Sequence, residues 1–189
     1  YNLFEYGTSK FDKKINLNKK AKLQMNFDTN FSTEKLGKLV ELIKGVNYKK
    51  EQQTYLETDN AILTADNVSL NGELNIRKKV YIDGAINLDN QKKLIKDDIF
   101  MCFSSGSKKH VGKCAYISEN LKYCAGGFMC ILRSKNKELN MKYLHILLSS
   151  EDFQNLFSNF CTGSNINNLS NEINNIKIPL PPISIQNKI

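Results

Sequence analysis

The stretch KKLIKDDIFMCFSSGSKKHVGKCAYIS, residues 92–118, with YCAGGFMCILRS, residues 123–134, decides the fold class. Asp97-Asp98 lead into the unbroken apolar run Ile99–Phe103, which predicts a buried strand. A polar, glycine-bearing basic loop follows, Ser104–Lys113. Cys114–Ile117 and Phe128–Leu132 read as further strands. Gly126-Gly127 marks a turn or a close backbone approach before the last of them. Cys102 and Cys130 sit inside these apolar runs and are expected to act as small core residues.

Upstream, TEKLGKLVELIKG (residues 33–45) places Leu36, Leu39, Val40 and Ile43 at i, i+3, i+4 and i+7, which predicts a helix. Ser32 or Thr33 can cap its start and Gly45 can end it. In AILTADNVSLNGELNIRKKVYID (residues 61–83), Ile62–Leu63 reads as a short strand running into Asp66–Asn67. Asn71-Gly72 is a turn signal, and Leu74 and Ile76 alternate with polar positions beyond it. The triplet Arg77, Lys78, Lys79 is either a solvated strand edge or, beside a tight turn, a grip for phosphates. Residues 1–31 are polar, lysine-rich and weakly periodic, and read as a linker or the tail of a preceding element.

Downstream, a second helix is expected over about Asn140–Phe157, with Tyr143, Leu144, Leu147 and Leu148 on its apolar face and a break at Ser149-Ser150. His145 reads as a helix-surface or packing residue. The chain closes with FCTGSNINNLSNEINNIKIPLPPISIQNKI (residues 160–189). An Asn/Ser-rich loop leads to Ile173–Ile178, prolines 179, 181 and 182 set an exit direction, and Ile183–Ile189 is expected to begin a helix. The expected division is 1–31, a domain over 32–182, and a helix start at 183–189.

Of 189 residues, 41% are hydrophobic and 24% charged, so the chain can bury a core and is not wholly disordered. No segment approaches the ~18 apolar residues of a membrane span, and YNLFEYGTSKFDKK has no signal-peptide run. The chain opens without Met, so a piece of a longer protein is expected. Lys+Arg is 27 against 19 Asp+Glu, a net +8. That favours a polyanionic partner, nucleic acid first, although a Lys- and Asn-rich coding bias explains the composition equally well. Five cysteines, an odd number without CxxC spacing, and two histidines argue against structural zinc and fit a reducing, cytoplasmic setting. No cofactor is implied.

Catalytic signatures are missing. Gly106-SKKHV-Gly112-Lys113 has one residue too many between its glycines for a P-loop, and Cys114 replaces the metal-binding hydroxyl. No G-x-G-x-x-G, G-x-S-x-G or H-E-x-x-H occurs. Asp97-Asp98 reads as the end of a turn and Glu151-Asp152 as a helix start.

Four stretches together resemble a known family. They are LGKLVELIKG (36–45), ILTADNVSLNG (62–72), LIKDDIFMCFSSGSKKHVGK (94–113), and the ordered set Thr162-Gly163-Ser164, Asn168-Leu169-Ser170, Ile178-Pro179-Leu180-Pro181-Pro182, Gln186 and Ile189. The last is the most specific. The chain is similar to the target-recognition domain of Type I restriction-modification specificity subunits, which also occurs fused behind the methylase in single-chain enzymes. Asp97 stands where the family commonly has Gly, which leaves room for a different turn there.

The resemblance implies an α/β (α+β) fold, a twisted, largely antiparallel sheet with flanking helices, then a long spacer helix. It implies a non-catalytic reader of double-stranded DNA. Its partners would be a DNA methylase (modification) subunit or domain and a restriction subunit, with a homodimer through the C-terminal helix also implied. Adenine modification would need base flipping into the partner methylase. On this view three loops converge on DNA: Asn67, Asn71, Arg77, Lys78 and Lys79 in the first; Ser105, Ser107, Lys108, Lys109 and Lys113 in the second; Asn165, Asn167 and Asn168 in the third. Lysines would neutralise phosphates and amides would meet base edges. Two other readings stand beside it: the C-terminal part of a fused adenine methyltransferase/restriction endonuclease, and a dimerising protein-interaction module without DNA affinity.

Overall fold

The computed structural model describes residues 30–160, 167–169 and 171–189. The chain enters through β1 (Thr33–Lys35), one helical turn α1 (Leu36–Leu39) and β2 (Val40–Lys44). Short strands β3 (Gln53–Thr54), β4 (Ala61–Leu63) and β5 (Val80–Ile82) follow. The central run supplies β6 (Ile99–Cys102), β7 (Ser104–Ser105), β8 (Cys114–Tyr116), β9 (Cys124–Ala125) and β10 (Met129–Ser134). Then come α2 (Met141–Ser149), α3 (Glu151–Phe160), β11 (Asn167–Asn168), β12 (Lys177–Pro179) and α4 (Ile183–Gln186). This is a mixed α+β fold whose strand pairings are antiparallel except for β4 with β9.

The main sheet has the order β2-β10-β6-β8, and a second has the order β3-β5-β4-β9. Successive side chains of a strand point to opposite faces, and in the main sheet both faces are covered. Ile99 and Met101 of β6, with Cys130 and Leu132 of β10, join the core built on α1, α2 and α3. Phe100, Cys102, Met129 and Ile131 point the other way, toward Leu63, Val68 and Leu94. That is why the run reads as continuously apolar rather than alternating. Cys102 and Cys130 are fully buried core thiols, as expected, and burial pushes the Cys130 thiol well up.

The helix expected over Leu36–Ile43 is corrected to one turn followed by a strand. Val40 already has extended backbone angles, and β2 pairs with β10 from Val40↔Ser134 to Lys44↔Cys130. Val40 and Leu42 pack into the helical-side core while Ile43 packs on the opposite face. Val40 and Leu42 therefore alternate with Ile43 between two faces, and pairing with a buried central strand overrides the helical pattern from Val40 onward. Nor does Ser32 or Thr33 cap the turn: the N-cap is Lys35, without a side-chain bond. Gly45 ends a strand instead of a helix, at a close approach where a Cβ would overlap the Gly126 carbonyl.

The second helix does break where expected. Ser150 is extended, and the acidic pair Glu151-Asp152 occupies the first turn of α3, where the helix dipole favours negative charge. The Asn140 side chain accepts from the Lys142 and Tyr143 amides and caps α2. Asp97 takes φ +68°, so it adopts the left-handed turn geometry for which glycine is the ordinary choice.

Asp98 is 1% exposed and forms a forked pair with Arg133, Nε to Oδ1 at 2.9 Å and Nη2 to Oδ2 at 2.8 Å. The Ile95 amide donates to the same carboxylate, and Arg133 Nη2 also donates to the Lys93 carbonyl. The pair clamps the start of β6 to the far end of β10. Asp98→Ala leaves a guanidinium without its counter-charge and is expected to cost about 3–5 kcal/mol. The lower end is expected, because the Arg133 side chain is 23% exposed. Urea denaturation checks this, and Asp98→Leu with Arg133→Met should recover most of the loss.

Candidate nucleic-acid interface

The hairpin after β4 is built by Asn67. Its Oδ1 accepts from the Thr64 amide at 2.7 Å, and its Nδ2 donates to the carbonyls of Asn75 and Lys78 at 2.7 and 2.6 Å. One amide thus gathers three points of the loop. Asn67 is 2% exposed. Gly72, at φ +78°, forms the tip and rests beside the Cys114 carbonyl and the His145 ring.

The second loop is tied to the first by Lys113, whose Nζ donates to the Val68 carbonyl at 2.7 Å. The third loop is tied to the second by β11, where Asn167 pairs with Ser105 and Asn168 with Ser104. The Leu169 amide adds a bond to the Phe103 carbonyl. The three loops singled out in the sequence therefore lie side by side in space.

Residue by residue, the outcome is mixed. Asn71, Arg77, Lys78, Ser107, Lys108, Lys109 and Asn168 are exposed. Among the described residues, none of these basic groups lies within salt-bridge distance of a carboxylate. Lys79 is partly buried, its Nζ 5.3 Å from the Tyr123 ring centroid. Ser105 is partly buried. Asn67 and Lys113 are buried, with their side-chain polar atoms bonded to backbone, and they shape the loops. Asn165 and the Asn167 side chain lie outside the described residues. Arg133, the second of the two arginines, is held by Asp98, which leaves Arg77 as the exposed guanidinium among the described residues.

Sequence reading missed a cleft that borders the second loop. A cleft of about 570 Å³ opens between the chain after β2, the edge strand β3, the Ser104–Gly106 loop and the Gly126–Phe128 turn. Asn47 and Gln53 line it, both exposed. Their side-chain amides have no hydrogen-bond partner among the described residues. Phe128 is 62% exposed there. The only local signal was the polar, amide-bearing stretch NYKKEQQTYLETDN, residues 47–60, and nothing in it points to a cleft. His ligands or acidic clusters that could hold a metal are absent among the described residues.

The match to known proteins covers this whole assembly. A family model described as Type I restriction modification DNA specificity domain matches residues 28–189. The chain belongs to that family. Among curated proteins this specificity domain is 32% identical over 160 residues to the Type I restriction enzyme StySPI specificity subunit of Salmonella potsdam, covering 82% of the chain and 34% of that protein. It is 33% identical over 148 residues to the EcoKI specificity subunit of Escherichia coli K12, covering 77% and 31%. It spans about a third of the length of these relatives. Two solved structures share its fold: the HsdS subunit from Thermoanaerobacter tengcongensis and the S subunit from M. genitalium. Their TM-scores are 0.61 and 0.53 at 17% and 19% identity. The matches cover 86% and 82% of this chain, and 36% and 35% of theirs.

The way the first loop is held has two measurable consequences. Asn67→Ala strands three backbone groups and is expected to lower stability by about 1–3 kcal/mol, seen as an earlier urea midpoint. His145 is half-buried and its Nε2 donates to the Cys114 carbonyl at 3.2 Å. Burial holds its imidazole below the ordinary 6.5, with the carbonyl pulling less strongly the other way. The unfolded chain therefore takes up this proton first, and stability should fall as pH drops through ~6.5. Thermal melts on either side of that pH check this, and His145→Gln should flatten the His145 part of the dependence.

Proposed function

We propose that this domain recognises a specific sequence in double-stranded DNA for a type I restriction-modification system. The observation that carries the reading is the joining of three polar loops, through Lys113 to Val68 and through β7 to β11, beside a cleft with two amides unpartnered among the described residues. Family membership supports the same conclusion. Exposed Lys78, Lys108, Lys109 and Arg77 supply charge for phosphates, which sets affinity and salt dependence. Asn71 and Asn168 supply amides at the same face, and base edges supply sequence.

In this reading the domain is not itself an enzyme. Methyl transfer and cleavage belong to methylase and restriction polypeptides, which it positions on one DNA half-site. The IPLPP segment leads α4 away from the domain as the start of a spacer helix, through which two copies would pair. The positive charge of the chain, +8, favours DNA over a purely protein-binding role.

The test is selection from a randomised duplex pool by the purified chain at two salt concentrations. An enriched motif that survives the higher salt is expected. Binding that collapses with salt and enriches nothing would refute sequence recognition. Replacing Lys108 and Lys109 by Ala should weaken binding to every duplex alike. It should also lower the slope of log K against log salt by up to about 2, near 0.9 for each phosphate no longer neutralised. Unchanged affinity would remove that loop from the interface.

A further inference from the structure

The cleft differs from the loops around it in its chemistry. Among the described residues no Lys or Arg lines it, although the chain has 27 such residues. What lines it instead are the free amides of Asn47 and Gln53, the exposed carboxylate of Asp66 and the Phe128 ring. The Asn47 amide is placed by its surroundings. Val46 is fixed by a backbone bond to Ala125 at 2.7 Å, and a Cβ on Gly127 would collide with the Asn47 amide oxygen. Gln53 sits on β3, whose register against Ile82 is set by the β3–β5 ladder. Both amides thus stand on ordered backbone, while their polar atoms have no hydrogen-bond partner among the described residues.

Base edges differ in what they demand. Guanine presents two adjacent acceptors in the major groove and is met by Arg or Lys. Adenine presents an acceptor beside a donor, the pattern an Asn or Gln amide complements with two bonds, and thymine adds a methyl group that favours an apolar contact. The Asp66 carboxylate accepts only, so it repels the guanine edge and accepts from the amino group of adenine or cytosine; the choice of A·T falls to the amides and the ring. We propose that Asn47 and Gln53 read A·T base pairs, the amides on adenine edges and the Phe128 ring against a thymine methyl. The lysines outside the cleft hold phosphates without choosing sequence. This assignment rests on the DNA-recognition reading above and names the residues and the base class it selects.

The experiment compares motifs enriched from a randomised duplex pool by the full chain, by Asn47→Ala and by Gln53→Ala. The near-isosteric Asn47→Asp and Gln53→Glu, which delete the donor and keep the shape, are run alongside. The chain is expected to enrich a motif containing A·T positions. At one such position each variant should lose its preference, with matched-site affinity in the alanine variants falling between about five- and a hundredfold and their salt slope unchanged. Replacing that adenine by 7-deazaadenine, which lacks the N7 acceptor, should weaken the parent chain and leave the corresponding variant unaffected. A motif that persists unchanged in all four variants, or relaxation confined to G·C positions, would overturn the assignment while leaving DNA recognition intact. A parent chain that enriches no motif would overturn both.

Discussion

Over Met129–Leu132, strand β10 is buried on both faces. It is hydrogen-bonded to β2 on one side and β6 on the other, and its side chains enter two separate cores. A slip of one residue would exchange Cys130 and Leu132 with Met129 and Ile131 between unlike cores, so the register is strongly specified. The candidate interface inherits that precision. The Gly126–Phe128 turn feeds straight into β10, Arg133 at its far end clamps Asp98, and the run from β6 through the basic loop to β8 is braced against it. Loops on so rigid a sheet can vary in sequence without moving their supports.

Polar residues in those loops divide by what they bind. A buried polar group must be satisfied internally, because an unpaired one costs its full desolvation. Asn67 and Lys113 take that role: Asn67 closes its own loop, and Lys113 ties the second loop to the first. Asn47, Gln53, Lys108 and Lys109 sit in water, where an unpartnered group costs nothing and stays available. Lys109 and Lys113 are four residues apart and chemically identical. The turn at Lys108–His110 leaves one exposed and carries the other under Val68.

The C-terminal motif is held by equally specific contacts. Gln186 is 1% exposed. It accepts from the Asn140 amide and donates to the carbonyls of Glu138 and Pro181. Tyr143 of α2 donates to the Pro179 carbonyl at 2.8 Å, and β12 pairs with β1 from Pro179↔Thr33 to Lys177↔Lys35. The entry and exit of the domain therefore lie together, and the direction of α4 is set by side chains far apart in sequence.

Much of this was legible in the chain itself. The strand Ile99–Cys102, the helix break at Ser150, the Asn71-Gly72 turn and the buried thiols follow from local rules, because each depends on residues within a few positions of one another. The ordered C-terminal motif also placed the family. Three things were decided only by tertiary structure. The helical spacing of Leu36, Leu39, Val40 and Ile43 held for one turn only, and pairing with β10 turned Val40–Lys44 into a strand. The burial of Asn67 and Lys113 was hidden too, because a sequence shows a side chain's chemistry and not which backbone groups it bonds in the packed chain. The Asn47–Gln53–Phe128 cleft joins segments up to 81 positions apart, so no local pattern could announce it. Burial and pairing are properties of the packed chain, and they determine which polar groups remain free to act.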